Sequence, residues 1–365
     1  MDILKKYAQL LIDYCLEIKK GDRLYIKTTT LAEPLLREVY RQAIKAGAHV
    51  ETDISFREKG RIFLAEAGED QLQNVSPFNK LAIETFDAYL VIRAPYNLKE
   101  TKNVDRNKQK IVSLANQGIS ETYFRRTGNK EMKRSLCQFP TLASAQEADM
   151  SLEEYQQFVF NACHLYADDP KAEWLKIRES QQKIVDFLNT KDIIRYQCKE
   201  TDIQFAVKDR IWINSDGQSN MPSGEVFTGP IEDSVNGKVH FNYPAIYMGS
   251  EVSDITLEVE NGEVVKWKAA RGQDVLDKVM EMEGARFFGE VAIGTNYNIQ
   301  QATKNILFDE KIGGTIHMAV GQSYSQTGGK NKSAVHWDMI TDMKDGGIIY
   351  ADGEKIYENG EFIIF

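Results

Sequence analysis

The spacing of apolar residues changes character near residue 190 of this 365-residue chain. Upstream, short apolar runs such as residues 88–93 alternate with stretches in which apolar residues recur at helical spacing, such as residues 31–46. Strands that alternate with helices over short connections pair in parallel, so this part predicts a parallel α/β sheet covered on both faces. Downstream, apolar and polar residues alternate one by one, as at residues 255–259, which is typical of strands in an antiparallel sheet.

The helical and β patterns place individual elements in the first part of the chain. Strands are expected at residues 23–27, 49–54 and 88–93, and helices at residues 31–46 and 104–116. From residue 118 to about residue 140 the pattern shows no clear period, and this stretch is expected to be irregular.

A long helix is expected to separate the two parts. Asp169 supplies its N-cap and Pro170 its first-turn proline, and the helical spacing runs towards Leu188. We therefore expect an α/β domain at residues 1–190 and an α+β domain rich in antiparallel strands at residues 191–365. In the second domain Asn261-Gly262 predicts a tight hairpin between two alternating segments.

Composition and charge exclude several kinds of partner. The formal net charge is −9, which argues against nucleic acid or an anionic membrane because both require a basic face. No apolar run approaches the roughly 20 residues of a membrane-spanning helix. The four cysteines are widely spaced and form no C-x-x-C pair, which argues against a disulfide framework and a thiolate zinc site. We expect a reduced, cytoplasmic protein.

Two of the five histidines lie close together in the second part of the chain, each beside other candidate metal ligands. His336 and Asp338 are two residues apart, so on a strand both side chains project to one face and can converge on one ion. His317 stands alone in an apolar strand, which by itself favours a structural histidine bonded to a backbone carbonyl. The acids nearby favour a functional one.

Two glutamates have neighbours that are unusual for surface acids. Glu225 follows a turn-rich segment and leads into an apolar pair, and Glu290 lies inside an apolar run. A carboxylate in such a run must be paired, protonated or bound to metal, unless it faces solvent on an edge strand. Glu310 precedes the strand of His317, and Tyr324 follows it as a rim aromatic or a donor to a developing oxyanion.

Oxygen and nitrogen ligands without thiolate suit Zn²⁺, Co²⁺ or Mn²⁺ in a catalytic role. Five candidate ligands exceed the three or four that one zinc usually takes. A pair of ions about 3.5–4 Å apart, bridged by one carboxylate, therefore fits them better. No G-x-S-x-G elbow, Walker sequence or H-E-x-x-H motif occurs.

Five segments, taken in order, resemble the aminopeptidase T / aminopeptidase S family of dinuclear metallo-aminopeptidases. They are residues 220–228, 289–292, 308–310, 317–324 and 336–338. Residues 140–155 and the opening helix–strand–helix are similar as well, so the resemblance covers nearly the whole chain. Two stretches depart from the family pattern in length, between Tyr324 and His336 and between Glu310 and His317, and both departures could reshape the substrate pocket.

The resemblance implies a homodimeric hydrolase that removes the amino-terminal residue of peptides with two divalent metal ions, drawn from Zn, Co, Mn or Mg. The implied ligands are Glu225, Glu290, His317, His336 and Asp338. Tyr324 would be a catalytic tyrosine, and Glu310 a further ligand or a general base. A metal-binding protein of the same fold that no longer cuts, and a metallo-hydrolase of non-peptide amides, are the alternatives.

Overall fold

A computed structural model of the chain describes residues 2–364. The chain forms two compact units. The first comprises Met1–Glu173 with Gly217–Pro222, and the second comprises Trp174–Asp216 with Ser223–Phe365. The division falls close to the start of a long helix, and the domain boundary expected near residue 190 stays a prediction. Among the described residues, no helix combines the length and the apolar character needed to cross a membrane.

The helices and strands are numbered here in chain order. The α-helices are α1 Ile3–Leu10, α2 Glu33–Lys45, α3 Lys59–Glu66, α4 Glu69–Gln73, α5 Pro77–Thr85, α6 Arg106–Ala115, α7 Gln117–Gly128, α8 Leu142–Glu147, α9 Leu152–Ala162, α10 Pro170–Leu188, α11 Gln273–Met280 and α12 Ile306–Asp309. The strands are β1 Arg23–Thr29, β2 His49–Ser55, β3 Ala88–Arg93, β4 Lys133–Gln138, β5 Ile193–Cys198, β6 Thr201–Ala206, β7 Ile213–Ser215, β8 Asn220–Met221, β9 Glu225–Thr228, β10 Asn236–Phe241, β11 Ala245–Tyr247, β12 Ser250–Val252, β13 Ile255–Glu260, β14 Glu263–Lys268, β15 Phe288–Gly294, β16 Thr315–Gly321, β17 His336–Asp342, β18 Ile348–Ala351, β19 Glu354–Glu358 and β20 Glu361–Phe362.

The first unit is built on a parallel sheet with the strand order β2-β1-β3-β4-β8. This confirms the parallel α/β sheet predicted from the alternation of strands and helices. The central strands β1 and β3 carry mostly buried side chains, whereas the edge strand β2 is largely exposed. The difference follows from position, because a central strand of such a sheet is covered on both faces.

The expectation of an irregular stretch from residue 118 to about residue 140 is wrong, because α7 and β4 lie there. Tertiary contacts stabilise both elements. The largely buried Arg126 of α7 donates a hydrogen bond of 2.7 Å to the carbonyl of Ile83, and β4 pairs on both sides, with β3 and with β8. Such long-range pairing overrides weak local propensity.

The second unit contains two larger antiparallel sheets. One has the order β14-β13-β10-β6-β5-β18-β19-β20, and the other, called here the site sheet, has the order β17-β16-β15-β9-β7. Their neighbouring strands pair antiparallel, as the one-by-one alternation predicts. Both sheets contribute to one apolar core, with Phe205 and Leu257 from the first and Val291 and Met318 from the site sheet.

Asn-Gly and Asp-Gly pairs close hairpins in this unit. Asn261 and Gly262 have φ values of 49° and 86°, and they join β13 to β14 as predicted. Asp352 and Gly353 join β18 to β19 with φ values of 50° and 81°. Positive φ at both turn positions suits the right-handed twist of the flanking strands, and asparagine, aspartate and glycine tolerate it best.

Gly289 lies at an irregularity of the site sheet, where the register of β15 against β16 shifts between Phe288 and Glu290. A Cβ at Gly289 would lie 2.4 Å from the carbonyl oxygen of Gln322 and 2.5 Å from that of Gly321. Both obstacles are backbone atoms, so a side chain cannot be accommodated by a rotamer change alone. The glycine therefore lets the backbone approach closely just before Glu290.

Gly289→Ala is expected to lower the free energy of unfolding by about 1–3 kcal/mol, because the added methyl group must displace backbone. Urea unfolding followed by tryptophan fluorescence measures the change. Gly118→Ala is the matched control, since Gly118 is helical and its Cβ would meet nothing within 4 Å. The control is expected to be neutral or slightly stabilising. Equal stability of Gly289→Ala and the wild type would contradict the close approach.

Candidate metal centre

The five predicted ligands lie on one face of the site sheet. The reason is strand alternation, since successive side chains point to opposite faces. Val226, Val291 and Met318 belong to the apolar core, and each is adjacent in sequence to a predicted ligand that points the other way. Trp337 lies in the same core, between the predicted ligands of β17. The core residues thus determine which face presents the polar groups.

Strand pairing brings these polar side chains close together in two overlapping groups. In the first, His317 Nε2 is 3.4 Å from Glu225 Oε2 and 3.5 Å from Glu290 Oε1. In the second, His336 Nε2 is 3.3 Å from Glu290 Oε2 and 3.6 Å from Asp338 Oδ1. Within each group, one candidate ligand atom per residue lies within 4.8 Å of the others. This spacing is compatible with a metal ion in each group.

Glu290 is shared by both groups. Its Oε1 lies near Nε2 of His317 and its Oε2 lies near Nε2 of His336, so the two oxygens of one carboxylate contact different imidazoles. The side chain is almost fully buried, at 5% exposure. A carboxylate that offers one oxygen to each of two neighbouring groups has the arrangement of a bridging ligand.

Several buried polar atoms of the cluster have no hydrogen-bond partner, and this bears on whether the residues suit a metal ion. His317 is fully buried, yet neither Nδ1 nor Nε2 has a hydrogen-bond partner among the described residues, and the same holds for Glu225 Oε2. Leaving buried polar atoms unpaired is costly, and a divalent cation beside Nε2 and Oε2 would remove that cost. His336 is already oriented, since its Nδ1 lies 2.8 Å from the carbonyl oxygen of Gln322 and its Nε2 faces the carboxylates. The residues fit a divalent metal.

Glu310 and Tyr324 lie beside this cluster. Glu310 is the C-cap of α12 and forms a third group of possible ligands with His317 and Asp338. The Tyr324 ring is 4.9 Å from the ring of His336 and 5.8 Å from that of Phe227, measured between centroids. The structure therefore brings together all seven residues singled out from the sequence.

Lys311 also belongs to the cluster, although it is not among the residues predicted from the sequence. Its side chain is fully buried, with Nζ 3.1 Å from Glu225 Oε1 and hydrogen-bonded to Glu310 Oε1. Lysine is normally a solvent-exposed residue, so a lysine in the sequence does not by itself indicate a buried site. A usable signal was its position, directly after Glu310 and between the apolar residues Phe308 and Ile312.

Electrostatic coupling shifts the pKa values of the cluster. Burial opposes the charged form of His317, but the carboxylates of Glu290 and Glu225 outweigh it and raise its pKa to about 9. Burial alone would raise the pKa of Asp338, yet the adjacent His336 lowers it. Burial, together with the charge of Glu225, raises the pKa of Glu310. Several charges of both signs therefore share one desolvated site, which is characteristic of functional sites.

The chain is similar to known proteins over nearly its whole length. Residues 1–362 match the family model described as thermophilic metalloprotease (M29). The chain is similar to aminopeptidase AmpS of Bacillus subtilis, with 26% identity over 98% of both chains. It is also similar to aminopeptidase 2 of Geobacillus stearothermophilus, with 27% identity over 98% of this chain and 97% of the relative. These matches extend from end to end of the proteins concerned.

The fold has a close counterpart among solved structures. Wild-type AmpT from Thermus thermophilus superposes with a TM-score of 0.86, covering 99% of each chain at 22% sequence identity. This agreement confirms the mixed α/β fold with a parallel sheet followed by antiparallel sheets.

Added Zn²⁺ or Co²⁺ is expected to raise the melting temperature of chelator-treated protein, because a cation satisfies the unpartnered atoms of His317 and Glu225. Glu290→Gln should remove most of that rise, since it takes charge from both groups. Differential scanning fluorimetry measures the shift. The exposed Glu260→Gln, which removes the same charge from β13, is the control and should behave as the wild type. An equal metal-induced rise in Glu290→Gln would contradict the placement of the metal.

Proposed function

This chain belongs to the thermophilic metalloprotease family and is a metal-dependent aminopeptidase, and we propose that it acts through two divalent ions bound on the polar face of the site sheet. Its substrates are peptides with a free amino terminus, as the names of its relatives suggest. Neither a binding protein that has lost catalysis nor a hydrolase of non-peptide amides is favoured by the family match. The proposed ligands are Glu225, Glu290, His317, His336 and Asp338.

The observation that carries the proposal is the shared position of Glu290. Glu225, Glu290 and His317 form one set of three ligands, and Glu290, His336 and Asp338 form a second. Three protein ligands are the usual complement of a catalytic metal that keeps an open position for water or substrate. Two such sets joined by one carboxylate support two ions rather than one.

The ions supply two effects when they are bound: they lower the pKa of a water and polarise the scissile carbonyl. Zn²⁺, Co²⁺, Mn²⁺ and Mg²⁺ are the proposed candidates, and imidazole ligands favour the first three. Stabilisation of the oxyanion and transfer of the proton are proposed to depend on side chains of the protein itself.

Tyr324 is proposed to donate a hydrogen bond to the oxyanion that forms when the carbonyl is attacked. Partial burial of the side chain and the negative charges of Glu290 and Asp338 raise the pKa of Tyr324 above its ordinary value, so the phenol keeps its proton. The residue is 43% exposed, so it borders solvent at the edge of the centre, where a substrate can reach it. A donor held in place before the reaction needs little reorganisation when charge develops.

Glu310 is proposed to carry a proton to the leaving amine. The other carboxylates are needed for the two ligand sets joined by Glu290, whereas Glu310 lies outside both. It is positioned by α12 rather than by a strand of the site sheet, and the ammonium of Lys311 holds one of its oxygens. Proton transfer by a positioned carboxylate is an established contribution to amide hydrolysis.

Two further properties are proposed, the first from the family resemblance and the second from the cysteine pattern of the sequence. The chain forms a homodimer, which light scattering coupled to size-exclusion chromatography can measure. It acts in the cytoplasm, with which the lack of disulfide bonds among the described cysteines is compatible.

The proposed activity predicts hydrolysis of amino-acid p-nitroanilides and no hydrolysis of their N-acetylated forms, because the free amine positions the first residue. Chelation should abolish release of p-nitroaniline, and addition of one of the four candidate metals should restore it. Release from acetylated and free substrates at the same rate would argue against an aminopeptidase. No release with any metal would argue against the activity altogether.

Tyr324→Phe is expected to lower kcat about 10²–10³-fold, as loss of one oxyanion donor does in other hydrolases. KM and metal content should change little, because Tyr324 is not a proposed ligand and the oxyanion to which it is proposed to donate forms only after attack on the carbonyl. Tyr297→Phe is the matched control, since Tyr297 is also about half exposed and its hydroxyl bonds the carbonyl of Gly360 instead. Similar kcat values for both variants would remove Tyr324 from the mechanism.

A further inference from the structure

Lys311 is a buried cation inside a cluster that is expected to bind cations. It lies at zero exposure, and its ammonium contacts Glu225 Oε1 at 3.1 Å and Glu310 Oε1. A buried lysine is costly unless paired, and here both of its partners are carboxylates of the centre. The two-ion proposal does not by itself explain why the cluster also contains a cationic side chain.

The backbone around Lys311 fixes where its side chain begins. The Lys311 N–H donates to the carbonyl of Phe308 at 3.0 Å, and the Lys311 carbonyl accepts from the N–H of Asn296 at 3.0 Å. Asn296 is held in turn, because its side-chain amide donates to the carbonyl of Ser223 at 2.8 Å. The ammonium therefore reaches the carboxylates from an anchored position rather than from a mobile loop.

Contacts of the individual oxygens show what the ammonium does to Glu225. Its Oε1 is occupied by Lys311, whereas its Oε2 has no hydrogen-bond partner and lies 3.4 Å from His317 Nε2. The positive charge beside Oε1 disfavours a second cation there, so Oε2 is the oxygen left to an ion beside His317. The same ammonium also restrains Glu310, because Lys311 donates a hydrogen bond to Glu310 Oε1.

We propose that Lys311 is a positioning residue that keeps Glu225 a single-oxygen donor and keeps Glu310 from becoming a metal ligand, and thereby holds the coordination number of the centre low. The inference rests on the proposed metal centre. Without the ammonium, Glu225 can turn and bind an ion through two oxygens and Glu310 can join the ligands, as carboxylates do in sites with many oxygen ligands. A low coordination number leaves positions open for water and substrate.

The ammonium also repels the metal, so its removal should tighten binding. Even at an effective dielectric constant of about 20, a unit charge a few ångströms away repels a divalent ion appreciably. We expect Lys311→Met to bind Co²⁺ about tenfold more tightly or better, which corresponds to about 1.4 kcal/mol. Activity should fall, but the fall is not needed for the test.

The test is a titration of wild type and Lys311→Met with Co²⁺ alone, followed by calorimetry and visible absorption. Four- and five-coordinate Co²⁺ absorbs visible light more strongly than six-coordinate Co²⁺, so coordination number is read from band intensity. The proposal predicts weaker bands together with tighter binding in the variant. An unchanged spectrum and unchanged affinity would overturn it.

Controls separate positioning from a general effect of lost charge or lost stability. Lys191→Met removes a largely buried lysine that pairs with Glu354 instead, and it should leave spectrum and affinity unchanged. Lys311→Gln keeps N–H donors without the charge, and it should shift both properties in the same direction as Lys311→Met but less. If both Lys311 variants remain unfolded even when prepared with Co²⁺, the lysine serves the fold and the proposal is overturned. Absence of Co²⁺ binding in the wild type would instead refute the metal centre.

Discussion

Desolvated negative charge on one face of a sheet is the constraint on which the rest of the site depends. Glu225, Glu290, Glu310 and Asp338 lie within a few ångströms of two imidazoles, and Glu225, Glu290 and His317 are buried. Carboxylates at such distances repel one another, and the desolvation cost is recovered only when cations are present. Lys311 supplies one positive charge from the chain itself. A divalent metal, as expected of a metalloprotease, would supply the remainder.

The site sheet keeps this charge in place through its other face. Residues such as Val291, Met318 and Trp337 belong to the apolar core of the second unit, and each lies next to a residue of the centre. A register error of one residue would bury the polar groups in that core and expose the apolar ones. The burial that stabilises the unit therefore also specifies which side chains form the centre. The close backbone approach at Gly289 then sets the local course of β15 next to Glu290.

Sequence patterns predicted the parts of the molecule that depend on local chemistry. The parallel and antiparallel sheets follow from residue spacing, and the hairpin at Asn261-Gly262 follows from the φ values that the turn requires. The candidate ligands were recognised because acids and histidines in apolar strands are unusual and because their order matches a known family. The structure places them together, and their roles as ligands stay a prediction.

The features that sequence patterns did not predict depend on long-range contacts. The helix α7 and the strand β4 are stabilised by a buried arginine and by pairing with strands distant in sequence, which no local period reveals. Lys311 was missed for a similar reason. Its ammonium donates a hydrogen bond to Glu225, which is 86 positions away in the chain. Only folding brings the two groups together.

Anomalous X-ray diffraction from crystals of the Co²⁺- or Zn²⁺-loaded protein tests the central claim most directly. The account predicts two anomalous peaks on the polar face of the site sheet, one beside Glu225 and His317 and the other beside His336 and Asp338. Glu290 should contact both peaks, and Lys311 should contact neither. A single peak, or peaks that do not share Glu290, would contradict the two-ion centre.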